Sequence, residues 1–128
     1  MIKRFYNIYD TVGKMYLNPL VAVNDADAIR IFTTFVNGDK ETSNIAKYPH
    51  QYILFHHFDM DDQTGQIGNL NVKTNMLEKL ELPRELIVGV SCVDDSNKEQ
   101  KYTIQDIALM LKEVDYPDNV KSITEATN

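Results

Sequence analysis

Apolar positions along this chain follow two different periods, and the points where the period changes divide it into elements. Residues 3–10 (Lys-Arg-Phe-Tyr-Asn-Ile-Tyr-Asp) concentrate aromatic and β-forming side chains, the composition of a strand. Thr11, Val12 and Gly13 end it in a turn. Residues 14–17 and 20–23 form a second extended stretch, broken at Asn18-Pro19 because proline has no N–H for the ladder. At Asn24 the period becomes helical. Ile29, Phe32, Thr33 and Val36 line one face, widened by Ala28, Ile31 and Phe35. Asn24 stands at the N-cap with Asp27 three residues on, close to a capping box, and Asp25 and Asp27 suit the positive end of the helix dipole. Gly38, after Asn37, closes the pattern. The spacing predicts a helix over 25–37.

A polar loop over 38–50 leads to a strand at 51–59. Strict alternation there puts Tyr52, Leu54, His56 and Phe58 on one face and Ile53, Phe55 and His57 on the other. Residues 61–65 (Asp-Asp-Gln-Thr-Gly) read as a turn and 66–72 as the antiparallel return. Residues 1–72 are therefore expected to form an α+β core module, ββαββ, with a small antiparallel sheet and a helix between two hairpins. Residues 73–116 read as an acidic α/β extension packing on that core. It would hold a short helix at 75–82 ended by Pro83, an apolar strand at 85–93, a charged loop at 94–101 and a helix at 104–114 opened by Thr103 and Asp106. Residues 117–128 lack a sustained apolar period and read as a flexible tail.

A length of 128 residues suits one core, and 43% hydrophobic with 25% charged residues is a globular balance. No apolar run reaches the roughly 20 residues that span a bilayer, and Lys3 and Arg4 are followed by no secretory apolar segment, so no membrane is expected. Cys92 is the only cysteine, which excludes an internal disulfide and a cysteine-rich zinc site and fits a reducing cytoplasm. The net charge of −6 is uneven: residues 1–56 hold six Lys/Arg and five acids, residues 57–128 seven and fourteen. Nucleic-acid binders usually carry a basic footprint, so only the first half is a candidate for one.

The chemical motifs are sparse. Counted as a calcium loop from Asp59, the sixth and twelfth positions are Thr64 and Leu70 rather than Gly and Glu, and a hairpin turn with Gly65 in the left-handed region explains the same residues. His56 and His57, adjacent on a strand, point to opposite faces; His50 would lie about 20 Å from His56 along one strand. Cys92 sits in an apolar run with nothing to activate it. There is no phosphate-binding glycine loop, no G-x-S-x-G and no H-E-x-x-H. The expectation is a protein without enzymatic activity, metal or cofactor. What remains is a mixture of cations and aromatics at 3–16 (Lys3, Arg4, Phe5, Tyr6, Tyr9, Lys14, Tyr16), the pairing by which single-stranded nucleic acid is held, or else an ordinary half-buried sheet.

The segments Ile8-Tyr9-Asp10, Asn24-Asp25 with Ala28, Arg30 and Phe32, and Leu54, Phe58-Asp59 and Thr64-Gly65 resemble the small nonstructural proteins of gokushoviruses, single-stranded DNA phages of the Microviridae. The family's glycine within the last motif is His56 or His57 here. The likeness covers residues 3–67. It implies a non-enzymatic, DNA-binding role in genome replication or single-strand packaging in the bacterial cytoplasm, and transfers no binding residue. The nucleic-acid candidates from the residues themselves are Lys3, Arg4, Lys14, Arg30 and Lys47, with Tyr6 and Tyr16 for stacking. The alternative is an adaptor whose acidic second half docks on a phage replication, capsid or host protein; exposed edge strands and an acidic face also suit a homo-oligomer.

Overall fold

The computed structural model describes residues 1–94, 116, 117 and 120. The expected helix at 104–114 and, apart from Pro117 and Val120, the expected tail over 117–128 lie outside them. The chain runs β1 (Ile2–Asp10), β2 (Met15–Tyr16), β3 (Leu20–Ala22), α1 (Asp25–Val36), α2 (Asn44–Lys47), β4 (Tyr52–Asp61), β5 (Ile67–Asn71), β6 (Met76–Glu78) and β7 (Arg84–Val88), with 3-10 turns at Pro49–Gln51 and Gly89–Cys92. The described residues are thus α+β with an antiparallel sheet, ordered β2-β1-β4-β5-β6; β3 adds to β1 and β7 to β4.

The break at Asn18-Pro19 separates β2 from β3, and both pair with β1. At the next junction Asn24 Oδ1 accepts the Asp27 N–H at 2.8 Å, while Asp27 Oδ2 accepts the Val23 N–H. This reciprocal cap satisfies donors that the first helical turn leaves open. The other end closes on Asn37, whose amide donates to Thr33 O and to Cys92 O at 2.8 Å, tying α1 to the turn after β7. Ala28, Phe32 and Val36 press onto the inner face of the sheet and form one core with Tyr6, Ile8, Ala22, Tyr52, Leu54, Cys92 and Val93. On the outer face Tyr9, Ile53, Phe55, Val88 and Val90 form a second, smaller cluster.

Three expectations change. Residues 75–82 are not helical. Asn71 Oδ1 accepts the N–H groups of Lys73 and Thr74, and Asn75 takes φ 57°, so the chain turns back into β6. Local side-chain bonding of this kind competes directly with helix formation. The strand expected over 85–93 stops at Val88, where a 3-10 turn carries Gly89 against Pro49; a Cβ there would stand 2.4 Å from the Pro49 carbonyl oxygen. The loop over 38–50 contains α2, capped by Ser43. Because β7 pairs with β4 over Ile53–His56, the sheet continues past residue 72. The turn before β5 is as expected, with Gly65 at φ +76°.

Candidate nucleic-acid interface

Alternation along β1 sends Arg4, Tyr6 and Ile8 inward and Lys3, Phe5, Asn7 and Tyr9 outward. On β4 the alternation is interrupted. Tyr6 pairs with His56 but Phe5 pairs with Phe58, so His57 is an extra residue, a β-bulge. His56 stays inside and His57 outside, its ring 4.4 Å from that of Tyr16. Beyond the bulge the parity is inverted. Phe58, expected beside Leu54 and His56, lies outside, and Asp59 turns inward.

Inside, this inversion completes a buried ionic cluster. Asp59 Oδ1 accepts from Arg4 Nε at 3.2 Å and lies 2.8 Å from His56 Nε2; its Oδ2 accepts the Leu70 N–H at 2.5 Å. Asp25, from the first turn of α1, accepts from Tyr6 Oη at 2.8 Å and from Arg84 at 2.7 Å, and stands 3.6 Å from Arg4. Burial pushes the Asp59 carboxyl up, but the His56 contact, the Leu70 N–H and the Arg4 charge outweigh it and hold its pKa below the ordinary value. Asp25 behaves alike: burial raises it, Arg84, Tyr6 and Arg4 more than offset that, and it stays ionised. Burial and the Asp25 bond push the Tyr6 hydroxyl far up, so it is a permanent donor. A cleft of about 530 Å³ opens beside the cluster, lined by Arg4, Asp25, His56, Asn69 and Arg84 and also by Glu78 and Glu81. Both arginines are engaged by carboxylates, so the cluster joins β1, α1, β4, β5 and β7 rather than presenting a field of one sign.

Outside, Phe5 and Phe58 stack across neighbouring strands with centroids 4.8 Å apart and planes inclined by 13°. Lys3 is exposed beside them, opposite Met60 in the ladder, and Ile67 continues the same row on β5. Val21, opposite Phe5, and Val23 are 50% and 81% exposed, so no described residue covers this end of the outer face. One row further along lies Asn7, whose Oδ1 is buried without a hydrogen-bond partner among the described residues. Burial, then the neighbouring His56, push the His57 imidazole below its ordinary pKa, leaving it a neutral ring near pH 7. In the same row as Asn7 and Phe55, Glu85 accepts from the Tyr116 hydroxyl at 3.1 Å, and burial together with Glu85 pushes that hydroxyl up to about 12.

The seven residues proposed from sequence are not brought together. Arg4 and Tyr6 are buried in the ionic cluster, Tyr6 with no exposed surface, and its ring offers no face to a base. Tyr16 is half-buried against Tyr9, Phe55 and His57. Lys14 sits in the turn before β2 at φ 54°. Arg30 is exposed on α1 and bonds Asp27 at 2.6 Å, a structural partner that the spacing of three residues already contained. Lys47 lies over the Tyr48 ring at 5.5 Å. Only Lys3 stands on the open aromatic surface. Phe58 was missed because nothing in His56-His57-Phe58 marks the bulge that turns it outward.

Fold and surface together define a small α+β protein with a covered inner face and a partly open, aromatic outer face. Residues 3–90 match the family model described as Phage ORF5 protein, and the chain belongs to that family. It is a bacteriophage protein, and the match runs through β6 and β7, past residue 67 where the sequence likeness ended. No curated protein and no solved structure matches it. Among the described residues, no helix is long and apolar enough to cross a membrane.

Proposed function

We propose that this is a nonstructural protein of a gokushovirus that binds single-stranded DNA in the host cytoplasm, in genome replication or strand packaging, through the outer face of its sheet. The observation that carries the reading is the half-buried Phe5–Phe58 pair on the outer sheet face with the exposed Lys3 beside it. Unstacked bases bind such rings regardless of sequence, whereas a duplex keeps its bases stacked and unavailable. With Lys3 the one cation on that face among the described residues, stacking supplies most of the affinity.

The test is anisotropy of a short labelled single-stranded oligonucleotide, with the duplex as control. Stacking is worth about 1–3 kcal/mol per base, so Phe58→Ala should weaken binding by roughly 5- to 150-fold. If Lys3 alone neutralises a phosphate, log K falls against log salt with a slope of about −0.7, and Lys3→Ala flattens it. Absence of binding at low salt, or a Phe58→Ala protein that is folded and binds unchanged, refutes the proposal. The adaptor reading has one observation in its favour: Val21 and Val23 are exposed at the β3 edge, where a partner strand or a second copy could add to the sheet. A salt-sensitive complex with a phage replication or capsid protein, formed without DNA, would favour it.

A further inference from the structure

The inner cleft beside the ionic cluster offers hydrogen-bonding groups that the cluster leaves over. Asp59 is an ionised acceptor, so His56 Nε2, 2.8 Å from it, carries a proton, and in the neutral ring Nδ1 holds a lone pair. His56 is 3% exposed and lines the cleft. Its Nδ1 has no hydrogen-bond partner among the described residues and is not one of the fully enclosed unpaired atoms, so it reaches the cleft. Arg84 gives one N–H to Asp25 at 2.7 Å; its other guanidinium N–H groups have no partner among the described residues, and 34% of its side chain is exposed. Asn69 and Glu78, paired across β5 and β6, complete the set. Asn69 Oδ1 accepts the Glu81 N–H at 2.6 Å, which leaves its amide to donate, and Glu78 Oε1 accepts from Asn71 at 3.2 Å, which leaves Oε2 to accept.

The lining selects against an ion. Its three cations (Arg4, Lys79 and Arg84) are matched by three carboxylates (Asp25, Glu78 and Glu81), so neither a free phosphate nor an amine meets net opposite charge. Donors and acceptors side by side, between the apolar side chains of Leu70, Val72 and Leu82, fit a neutral heterocycle, and a cleft of about 530 Å³ has room for a nucleoside. The fork of an arginine is met by the adjacent O6 and N7 acceptors of guanine, whose N1–H and amine remain to donate to His56 Nδ1 and Glu78. Adenine sets an amine donor against the arginine, and cytosine and thymine lack the paired acceptors.

We propose that the inner cleft is a guanine-binding site, with Arg84 reading the O6/N7 edge and His56 and Glu78 the donor edge. The site lies on the face opposite Phe5 and Phe58 and does not depend on the DNA-binding reading. The same chemistry is supplied by a free guanine nucleoside or nucleotide and by a guanine turned out of a single strand. The ionic cluster then has a second duty: Asp25 holds Arg84 and Asp59 sets the His56 tautomer, besides joining the strands.

The test is NMR titration of the full chain, labelled with nitrogen-15 at histidine, with deoxyguanosine and with deoxyadenosine at pH 8, where an imidazole is ordinarily neutral. Deoxyguanosine should bind more tightly by roughly 5- to 150-fold, the worth of one bidentate base contact, and should move the His56 Nδ1 resonance. Arg84→Lys keeps the charge opposite Asp25 and removes the fork, so it should abolish the preference. Glu78→Gln, on an exposed side chain, serves where Arg84→Lys does not fold; it should weaken deoxyguanosine binding by roughly 2- to 13-fold, the net worth of one hydrogen bond. No binding of deoxyguanosine at millimolar concentration, equal binding of deoxyadenosine, an unmoved His56 Nδ1 resonance, or a folded Arg84→Lys protein that keeps the preference overturns the proposal. A thymine oligonucleotide carrying one guanine distinguishes the sources by the same His56 shift. A shift at lower concentration than with deoxyguanosine places the guanine in a strand; a shift at higher concentration assigns the cleft to the free nucleoside or nucleotide.

Discussion

Replacing Asp59 with asparagine keeps the shape of the side chain and removes its charge, which makes it a direct measure of the buried cluster. Asp59 has no exposed surface and meets three groups: Arg4 Nε at 3.2 Å, His56 Nε2 at 2.8 Å and the Leu70 N–H at 2.5 Å. Both arginine and backbone are donors, and one carboxylate oxygen becomes an amide nitrogen that also donates. At least one contact then sets donor against donor. Arg4, its side chain only 10% exposed, keeps Asp25 at 3.6 Å as its remaining carboxylate among the described residues. Breaking a buried pair costs about 3–5 kcal/mol. Because Asp25 remains and the cleft admits water, the expected loss is at the lower end, about 3 kcal/mol, a large part of the 5–15 kcal/mol typical of a domain. For a chain of this size that is a fall in Tm of roughly 10 °C. Urea unfolding followed by circular dichroism at pH 7 should show a lower midpoint with an unchanged slope. A loss below about 1 kcal/mol would mean that the cluster lines the cleft without holding the sheet together.

The pH dependence provides a second check on the same substitution. The folded-state pKa of Asp59 lies below its ordinary value near 3.8, and so does that of Asp25. A depressed carboxylate contributes stability above its unfolded pKa, and that contribution is lost as pH falls through the folded pKa. Wild type should therefore lose stability in acid below about pH 4, whereas the asparagine variant has already lost the Asp59 part. The gap between the two proteins should narrow as pH falls from 5 towards 2 and stay constant above. A gap of constant size across the whole range would place the effect in shape rather than in charge.

Two further substitutions test how the frame around the surface is built. Asn24→Ala removes the acceptor for the Asp27 N–H at 2.8 Å and should cost about 1 kcal/mol in urea unfolding, with Asn24→Asp close to wild type. Gly89→Ala places a Cβ 2.4 Å from the Pro49 carbonyl oxygen, a backbone atom that moves only with its turn. It should cost about 1–3 kcal/mol by the same measurement, and a neutral result would show that the two turns separate freely.

Local signals in the sequence located much of the first half. Asn24 and Asp27 marked the start of α1, Asn18-Pro19 the gap between β2 and β3, and Gly65 the turn before β5, because each of these acts within four residues of itself. The helix expected at 75–82 failed on competing local chemistry: the Asn71 side chain and left-handed Asn75 turn the chain back before a helix can start. The site was less legible, for a different reason. Arg4 and Tyr6 read as a cation and a ring open to ligand, and what withdraws them is Asp25, Asp59 and Arg84, which lie between 19 and 80 residues away along the chain. Charge complementarity over such separations leaves no periodic trace.

The bulge at His57 links the two faces of the sheet. One extra residue on β4 reverses which way every later side chain points, so the same event that turns Asp59 inward to Arg4 turns Phe58 outward to Phe5. Without the bulge, and with His57 kept in the ladder, Asp59 would face solvent, Arg4 would keep only Asp25 at 3.6 Å, and the ring of Phe58 would be pushed into the space that the ionic cluster occupies. The buried charge and the outward-facing, half-buried ring are therefore two consequences of one register shift. The arginine–aspartate pair has a reason to persist beyond its modest net contribution, since it favours the register that presents Phe58. Deleting His57 leaves His56, Phe58 and Asp59 in regular alternation opposite Tyr6, Phe5 and Arg4, so the outer aromatic pair and the inner ion pair should both persist, with a urea midpoint near that of wild type.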